Sequence, residues 1–174
     1  MRVRKYGLQG GIEDNLPFIK EVLKRNLENG SEDIVVRKVA ESIVRRVPAR
    51  DKLGEITAIH NWVKNHIRYT GDPYGAELIK SPRRLLMDYA EARQLGQLPV
   101  ILADCDESSL LAASLLRSIG HPAKIILMDT KPFSSEISHA IAQVNHLGKW
   151  IWLETTKDKA LNWVPNHTRE VIVQ

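Results

Sequence analysis

One cysteine stands among the 174 residues, inside the acidic run Ala103-Asp104-Cys105-Asp106-Glu107-Ser108. Asp104 is a good N-cap, and Glu107 three positions later completes an Asp-x-x-Glu variant of the capping box. The spacing therefore predicts a helix with Cys105 in its first turn. Backbone N–H groups there have no intrahelical partner, lower a thiol pKa and can hold a developing oxyanion. Asp104, Asp106 and Glu107 work against this, because like charge disfavours a thiolate. The macrodipole amounts to only about half a charge at the helix end. Cys105 therefore needs an imidazolium partner before it can serve as a nucleophile. Taken alone, the segment is also accounted for by a cysteine packed as a small hydrophobe.

A partner emerges from the hairpin formed by Ser138-His139-Ala140-Ile141-Ala142-Gln143-Val144 and Lys149-Trp150-Ile151-Trp152-Leu153-Glu154. A turn centred between His146 and Leu147 sets His139 directly opposite Glu154, and Ile141 opposite Trp152. Directly opposed residues share a sheet face with Cβ atoms roughly 4.5–5.5 Å apart. A carboxylate so placed favours the imidazolium and fixes its tautomer. Cys105, His139 and Glu154 then have the types of a Cys-His-acid triad for acyl transfer. A slip of one residue would separate the pair, and an ordinary cross-strand pair accounts for the hairpin as well. His60, His66, His121, His146 and His167 show no comparable partner in the sequence and are read as surface or core polar residues.

The elements that must carry these groups follow from periodicity. Leu16, Ile19, Leu23 and Leu27 mark a first helix that Asn29-Gly30 is expected to end. Ser31 is read as the N-cap of a second, with Val35, Val36, Val39, Ile43 and Val47 as its stripe and Pro48 as its stop. A third runs from about Asp51 to Ile67. Tyr69–Gly75 reads as a loop that borders a cleft or simply connects. Pro82 opens a fourth helix reaching about Gln94. Asp104 to Ile119 is apolar over much of its circumference, the mark of a central helix, and Gly120 ends it. Strands are expected at Ala123–Met128, Ile137–Val144, Lys149–Thr155 and Glu170–Val173. Helices first and an antiparallel sheet afterwards give an α+β fold.

Composition narrows the classes of function. Hydrophobic residues make up 43% and charged residues 26%, which are globular values. A single cysteine excludes an intramolecular disulfide framework and a multi-cysteine zinc or iron–sulfur site. No apolar run is long enough to span a bilayer, and the basic N-terminus lacks the apolar core of a signal peptide. The expectation is a soluble cytoplasmic protein that binds neither membrane nor nucleic acid. The net charge of +4 arises within the first 50 residues, where 11 Lys and Arg face 7 Asp and Glu. Residues 1–50 are accordingly read as a basic helical extension, a solvated surface or a docking face for a protein partner, and residues 51–174 as the domain bearing the chemistry.

The run Asp104-Cys105-Asp106-Glu107, continued by Ser-Ser-Leu-Leu-Ala-Ala-Ser-Leu-Leu-Arg-Ser-Ile-Gly-His-Pro-Ala-Lys, resembles the Asp-Cys motif, helix and strand of the transglutaminase-like superfamily of cysteine acyl transferases and peptidases. Ser138-His139-Ala140 resembles its His-bearing strand, and Trp152-Leu153-Glu154-Thr155-Thr156 its acid-bearing strand. Trp62–Tyr69 and Ser81–Leu86 are similar to upstream family segments. The likeness spans roughly residues 51–160. It implies a papain-like core with Cys105 as nucleophile, His139 as general base and acid, and Glu154 as the orienting acid. The substrate would be a peptide or protein amide, and no metal or cofactor is called for. The family usually has Asp at the last position. Glu is one methylene longer, so its strand must sit further back or its side chain must bend. Trp62, Trp150 and Trp152 are read as acyl-tunnel lining or core, and Arg83 and Arg84 as contacts to an acidic substrate or ordinary surface residues. Two rival readings remain at this level: a non-catalytic binding module that docks through the basic helices, and a metal site built on Cys105 and His139.

Overall fold

The computed structural model describes residues 12–72 and 78–174. In chain order the elements are α1 (Ile12–Glu32), α2 (Ile34–Val44), α3 (Lys52–His66), β1 (Ile67–Tyr69), α4 (Pro82–Gln94), β2 (Ile101–Ala103), α5 (Cys105–Ser118), β3 (Ala123–Met128), β4 (His139–His146), β5 (Lys149–Leu153) and β6 (Glu170–Val173). β3 to β6 form one antiparallel sheet in the order β5-β4-β3-β6, and β1 pairs with β2 in parallel. The fold is α+β, as the order of elements predicts.

Apolar burial explains why α5 sits in the middle. Leu110, Leu111, Ala112, Ala113, Leu115 and Leu116 are all fully buried. They face α1 to α4 on one side and β3 and β4 on the other. The inward sheet face supplies Ile125, Leu127, Ala140, Ala142 and Val144 to the same core, and α1 supplies Leu16, Ile19, Leu23 and Leu27. Residues of α1 and α2 thus share one core with the elements that follow residue 50. On the far face of the sheet, Ile126, Met128 and Ile141 pack with Trp152 and Val164.

Three local expectations are corrected. α1 continues through Gly30 to Glu32. Gly30 is there for close approach: a Cβ at this position would lie 2.7 Å from Ser114 Oγ and 2.8 Å from Pro82 Cγ. The N-cap of α2 is Asp33, whose carboxylate accepts from the Val35 and Val36 N–H groups, while the Ser31 hydroxyl bonds back to the Leu27 and Glu28 carbonyls. The short pair β1–β2 is not expected from the sequence, which places Ile67 at a helix end and Tyr69 in a loop and assigns Ile101–Ala103 to no element. Three residues are too few to show a period, and tertiary pairing makes the strands. Residues 73–75 of the expected Tyr69–Gly75 loop lie outside the described residues.

The β4–β5 register differs from expectation by two. Ala142 opposes Leu153 and His146 opposes Lys149, which leaves Leu147 and Gly148 as the two-residue loop. Both have positive φ, 52° and 82°, the backbone of a tight primed hairpin turn. Trp152 therefore opposes Gln143 and not Ile141. An even slip leaves every side chain on its expected face, so His139 and Glu154 still share one.

Candidate active site

Cys105 is the first residue of α5, and the predicted capping box is formed. Asp104 accepts from the Asp106 and Glu107 N–H groups at 2.9 and 3.1 Å, and Glu107 accepts from the Asp104 N–H at 3.4 Å. Glu107 also accepts from the Lys80 N–H at 2.8 Å, which ties the start of α5 to the segment ahead of α4. β2, paired with β1, delivers the chain into this cap, and the Thr70 N–H donates to the Ala103 carbonyl at 3.0 Å.

His139 is the first residue of β4. Its Nε2 donates to Glu154 Oε2 at 2.8 Å, and both side chains are buried. This bond leaves Nδ1 as the ring nitrogen for the thiol. Glu154 lies one residue past the end of β5 and meets His139 diagonally across the ladder. Diagonal neighbours are roughly 7–8 Å apart, within reach of long side chains only. The extra methylene of Glu suits this geometry. Its other oxygen accepts from the Thr156 N–H and hydroxyl, each at 2.7 Å. Burial raises a carboxyl pKa, but the bonds from His139 and Thr156 outweigh it and hold Glu154 at about 2.

The two halves meet at the end of the β4–β5 ladder. Pairing stops at Ala142–Leu153, and beyond it the Ala140 N–H faces the Cys105 thiol. One turn further along α5, Ser108 Oγ lies 2.5 Å from Thr155 Oγ1, the residue after Glu154. The first turn of α5 therefore rests on the strand ends that carry His139 and Glu154. The thiol is partly buried and approaches Asp106 Oδ1 at 3.7 Å. Burial, then the charges of Asp106 and Asp104, push its pKa well up, against the Ala140 N–H. Cys105 rests as a thiol.

Other candidates sort differently. Trp62 stacks on His66 at 4.4 Å and meets Tyr89 edge-on. Trp150 lies beneath the Lys124 ammonium, and Trp152 packs on the far sheet face. Arg83 pairs with Asp33 and Arg84 with Asp88. Two of the histidines set aside do hold carboxylates: His121 binds Glu55 and His167 binds Glu170, each at 2.7 Å. His60, read as a surface or core polar residue, and Tyr69, read as a loop residue, are not among the expected site residues. His60 Nε2 lies 2.7 Å from the Glu154 carbonyl. The Tyr69 phenol, pushed up by burial, senses Cys105, Asp104 and Asp106. Tyr69 opposes Ala103 in the β1–β2 pair, two residues before Cys105, a placement that no pattern in these three-residue strands announces.

The site thus sets a helix-borne thiol against a sheet-borne His–carboxylate pair, and comparison with known proteins identifies the family. Residues 37–155 match the model of the transglutaminase-like superfamily, and the chain belongs to that superfamily. A structure from Parabacteroides distasonis described as a candidate protease aligns with TM-score 0.55 and 12% identity over 78% of this chain and 26% of its own. One from Cytophaga hutchinsonii, described as a candidate cysteine protease, gives 0.45 and 14% over 95% and 55%. A third, described as a TGase, gives 0.42 and 17% over 90% and 35%. The chain thus spans between about a quarter and about half of the lengths of these neighbours. No curated protein matches it. Among the described residues, no helix is long and apolar enough to cross a membrane.

Proposed function

We propose that the protein is a cysteine enzyme that cleaves or transfers an amide acyl group, from a peptide bond or a glutamine side chain, through a thioester on Cys105. The observation that carries this reading is the buried His139–Glu154 hydrogen bond of 2.8 Å, set where the Ala140 N–H faces the Cys105 thiol. Because Cys105 rests protonated, its proton must pass to His139 Nδ1 as the sulfur attacks the carbonyl carbon. The carbonyl oxygen takes the negative charge, and the Cys105 N–H in the first turn of α5 donates to it. Collapse expels the amine, which takes the proton from His139 and leaves the thioester. Water or a second amine, deprotonated by His139, then releases the acyl group. Glu154 stays ionised throughout and steadies the imidazolium. A cytoplasmic setting suits the unpaired thiol.

The test is the pH dependence of Cys105 alkylation by iodoacetamide in the wild type and in His139→Ala. The reading expects the variant to react at least about 10-fold more slowly near pH 7, with its apparent thiol pKa moved up. Identical profiles would overturn it. Ammonia release from a glutamine-containing peptide, with and without a primary amine, would then separate hydrolysis from transfer.

A further inference from the structure

The acid-bearing segment is held from a direction that the triad does not use. α3 contributes neither nucleophile, base nor acid, yet it sends His60 to the Glu154 main chain. The ring is 1% exposed, and its Nε2 lies 2.7 Å from the Glu154 carbonyl oxygen. The partners are 94 positions apart in sequence. Glu154 is the first residue beyond the β5 ladder, so its carbonyl is without a strand partner at a buried position, where an unpaired acceptor is costly.

We propose that His60 is a positioning residue for the acyl-transfer site, donating its Nε2–H to the Glu154 carbonyl and so setting the height at which the carboxylate meets His139. A carbonyl only accepts, so His60 must carry its proton on Nε2. Burial lowers its pKa, and the charged groups that bear on it are Lys64, which lowers it further, and Glu154, which raises it. The ring is neutral at physiological pH. Glu154 is then gripped at both ends, with His60 on the main chain and His139 with Thr156 on the carboxylate. Ser108 on Thr155 adds a tie from the Cys105 helix. A His–carboxylate bond of 2.8 Å between two buried side chains tolerates little displacement, because misplacement of about 1 Å can cost 10²-fold in rate.

This role rests on the proposed triad, and the experiment separates the two. Cys105 alkylation is followed against pH in His60→Leu, which removes the donor, and in His60→Gln, whose amide nitrogen takes the place of Nε2. The expected result is a loss of at least about 10-fold near pH 7 with a raised apparent pKa in His60→Leu, and a rate within about threefold of wild type in His60→Gln. A wild-type profile in a folded His60→Leu protein would overturn the proposal, and so would equal loss in both variants. Nitrogen-15 NMR of the wild-type imidazoles keeps the question answerable if the leucine variant does not fold. An Nε2–H tautomer for neutral His60 at pH 8 supports the proposal, and the Nδ1–H tautomer refutes it. His139→Ala in the same assay reports on the triad itself: if it matches wild type, the triad reading falls, whereas loss there without loss in His60→Leu removes only the role of His60.

Discussion

Two buried glutamates bracket the site and behave oppositely. Glu154, at the strand side, is held at about 2; Glu107, at the helix side, is pushed up to about 7. Their side chains are equally dry, 1% and 4% exposed, and burial pushes both upward. The difference lies in what replaces water. Glu154 receives an imidazole, a hydroxyl and a backbone N–H within 2.8 Å. Glu107 receives two backbone N–H groups, one of them at 3.4 Å, with the Lys80 ammonium at 3.9 Å and the Asp104 carboxylate opposing. Solvation by strong, close donors keeps a carboxylate charged; partial solvation does not. The strand side is built to hold a negative charge, and the helix side to carry as little as it can. Near neutral pH Glu107 is about half protonated. The thiol accordingly answers to Asp106 and Asp104, and the three negative neighbours counted in the sequence overstate the load on Cys105.

Exchanging each glutamate for its amide tests that contrast most forcefully. Glu154→Gln removes the charge that steadies the His139 imidazolium, and iodoacetamide labelling of Cys105 at pH 7 should slow about 10²-fold or more. Glu107→Gln should stay within about threefold of wild type, because the charge it removes is already half neutralised. Comparable losses in the two variants would mean that both carboxylates serve the thiol and that the asymmetry has no chemical consequence.

Stability should separate them next, with opposite signs. The pKa of Glu154 is depressed in the folded protein, so its contribution is fully present above the unfolded value of about 4.3 and is lost as pH falls toward 2. The pKa of Glu107 is raised, so its cost is absent below about 4.3, grows between there and 7, and is complete above 7. Urea unfolding from pH 8 to pH 3 should show Glu154→Gln losing roughly 1–3 kcal/mol relative to wild type at neutral pH, with the gap closing in acid. The difference between Glu107→Gln and wild type should instead move in favour of the variant as pH rises from 4 to 8. Parallel curves for the two variants would contradict the assigned pKa directions.

The sequence carried those features whose cause is local. α4 and α5 begin at capped positions, and β3 and β6 match their expected bounds to the residue, because caps and apolar periods act within a few positions. What it hid depends on distance. Gly30 looks like a helix end until Ser114 and Pro82 are seen against it. The hairpin turn was set one position early because positive φ at Leu147 is not written in its side chain; period-two alternation kept His139 and Glu154 on one face all the same. Cys105, His139 and Glu154 could be nominated because each has a side chain with recognisable chemistry. His60 could not, since its partner is a main-chain carbonyl 94 residues away and every residue offers a carbonyl.

The smallest effect probes why Glu107 stops near 7 rather than rising further. Lys80 acts on it twice, through a backbone N–H at 2.8 Å and through an ammonium at 3.9 Å that also donates to the Leu102 carbonyl. The Lys80 side chain is 39% exposed, so solvent and salt screen its charge, and its pull across 3.9 Å is worth a few tenths of a kcal/mol. The N–H bond is partly buried and has the stronger hold. Lys80→Met removes the ammonium and keeps the N–H. The carboxyl carbon-13 resonance of Glu107, titrated by NMR, should therefore move its midpoint upward by less than about half a unit, and 0.5 M salt should reproduce most of that shift in the wild type. An upward move of more than one unit would show that the ammonium is the principal counterweight. Both glutamates would then be held by side-chain cations, and the contrast between them would be one of degree rather than of kind.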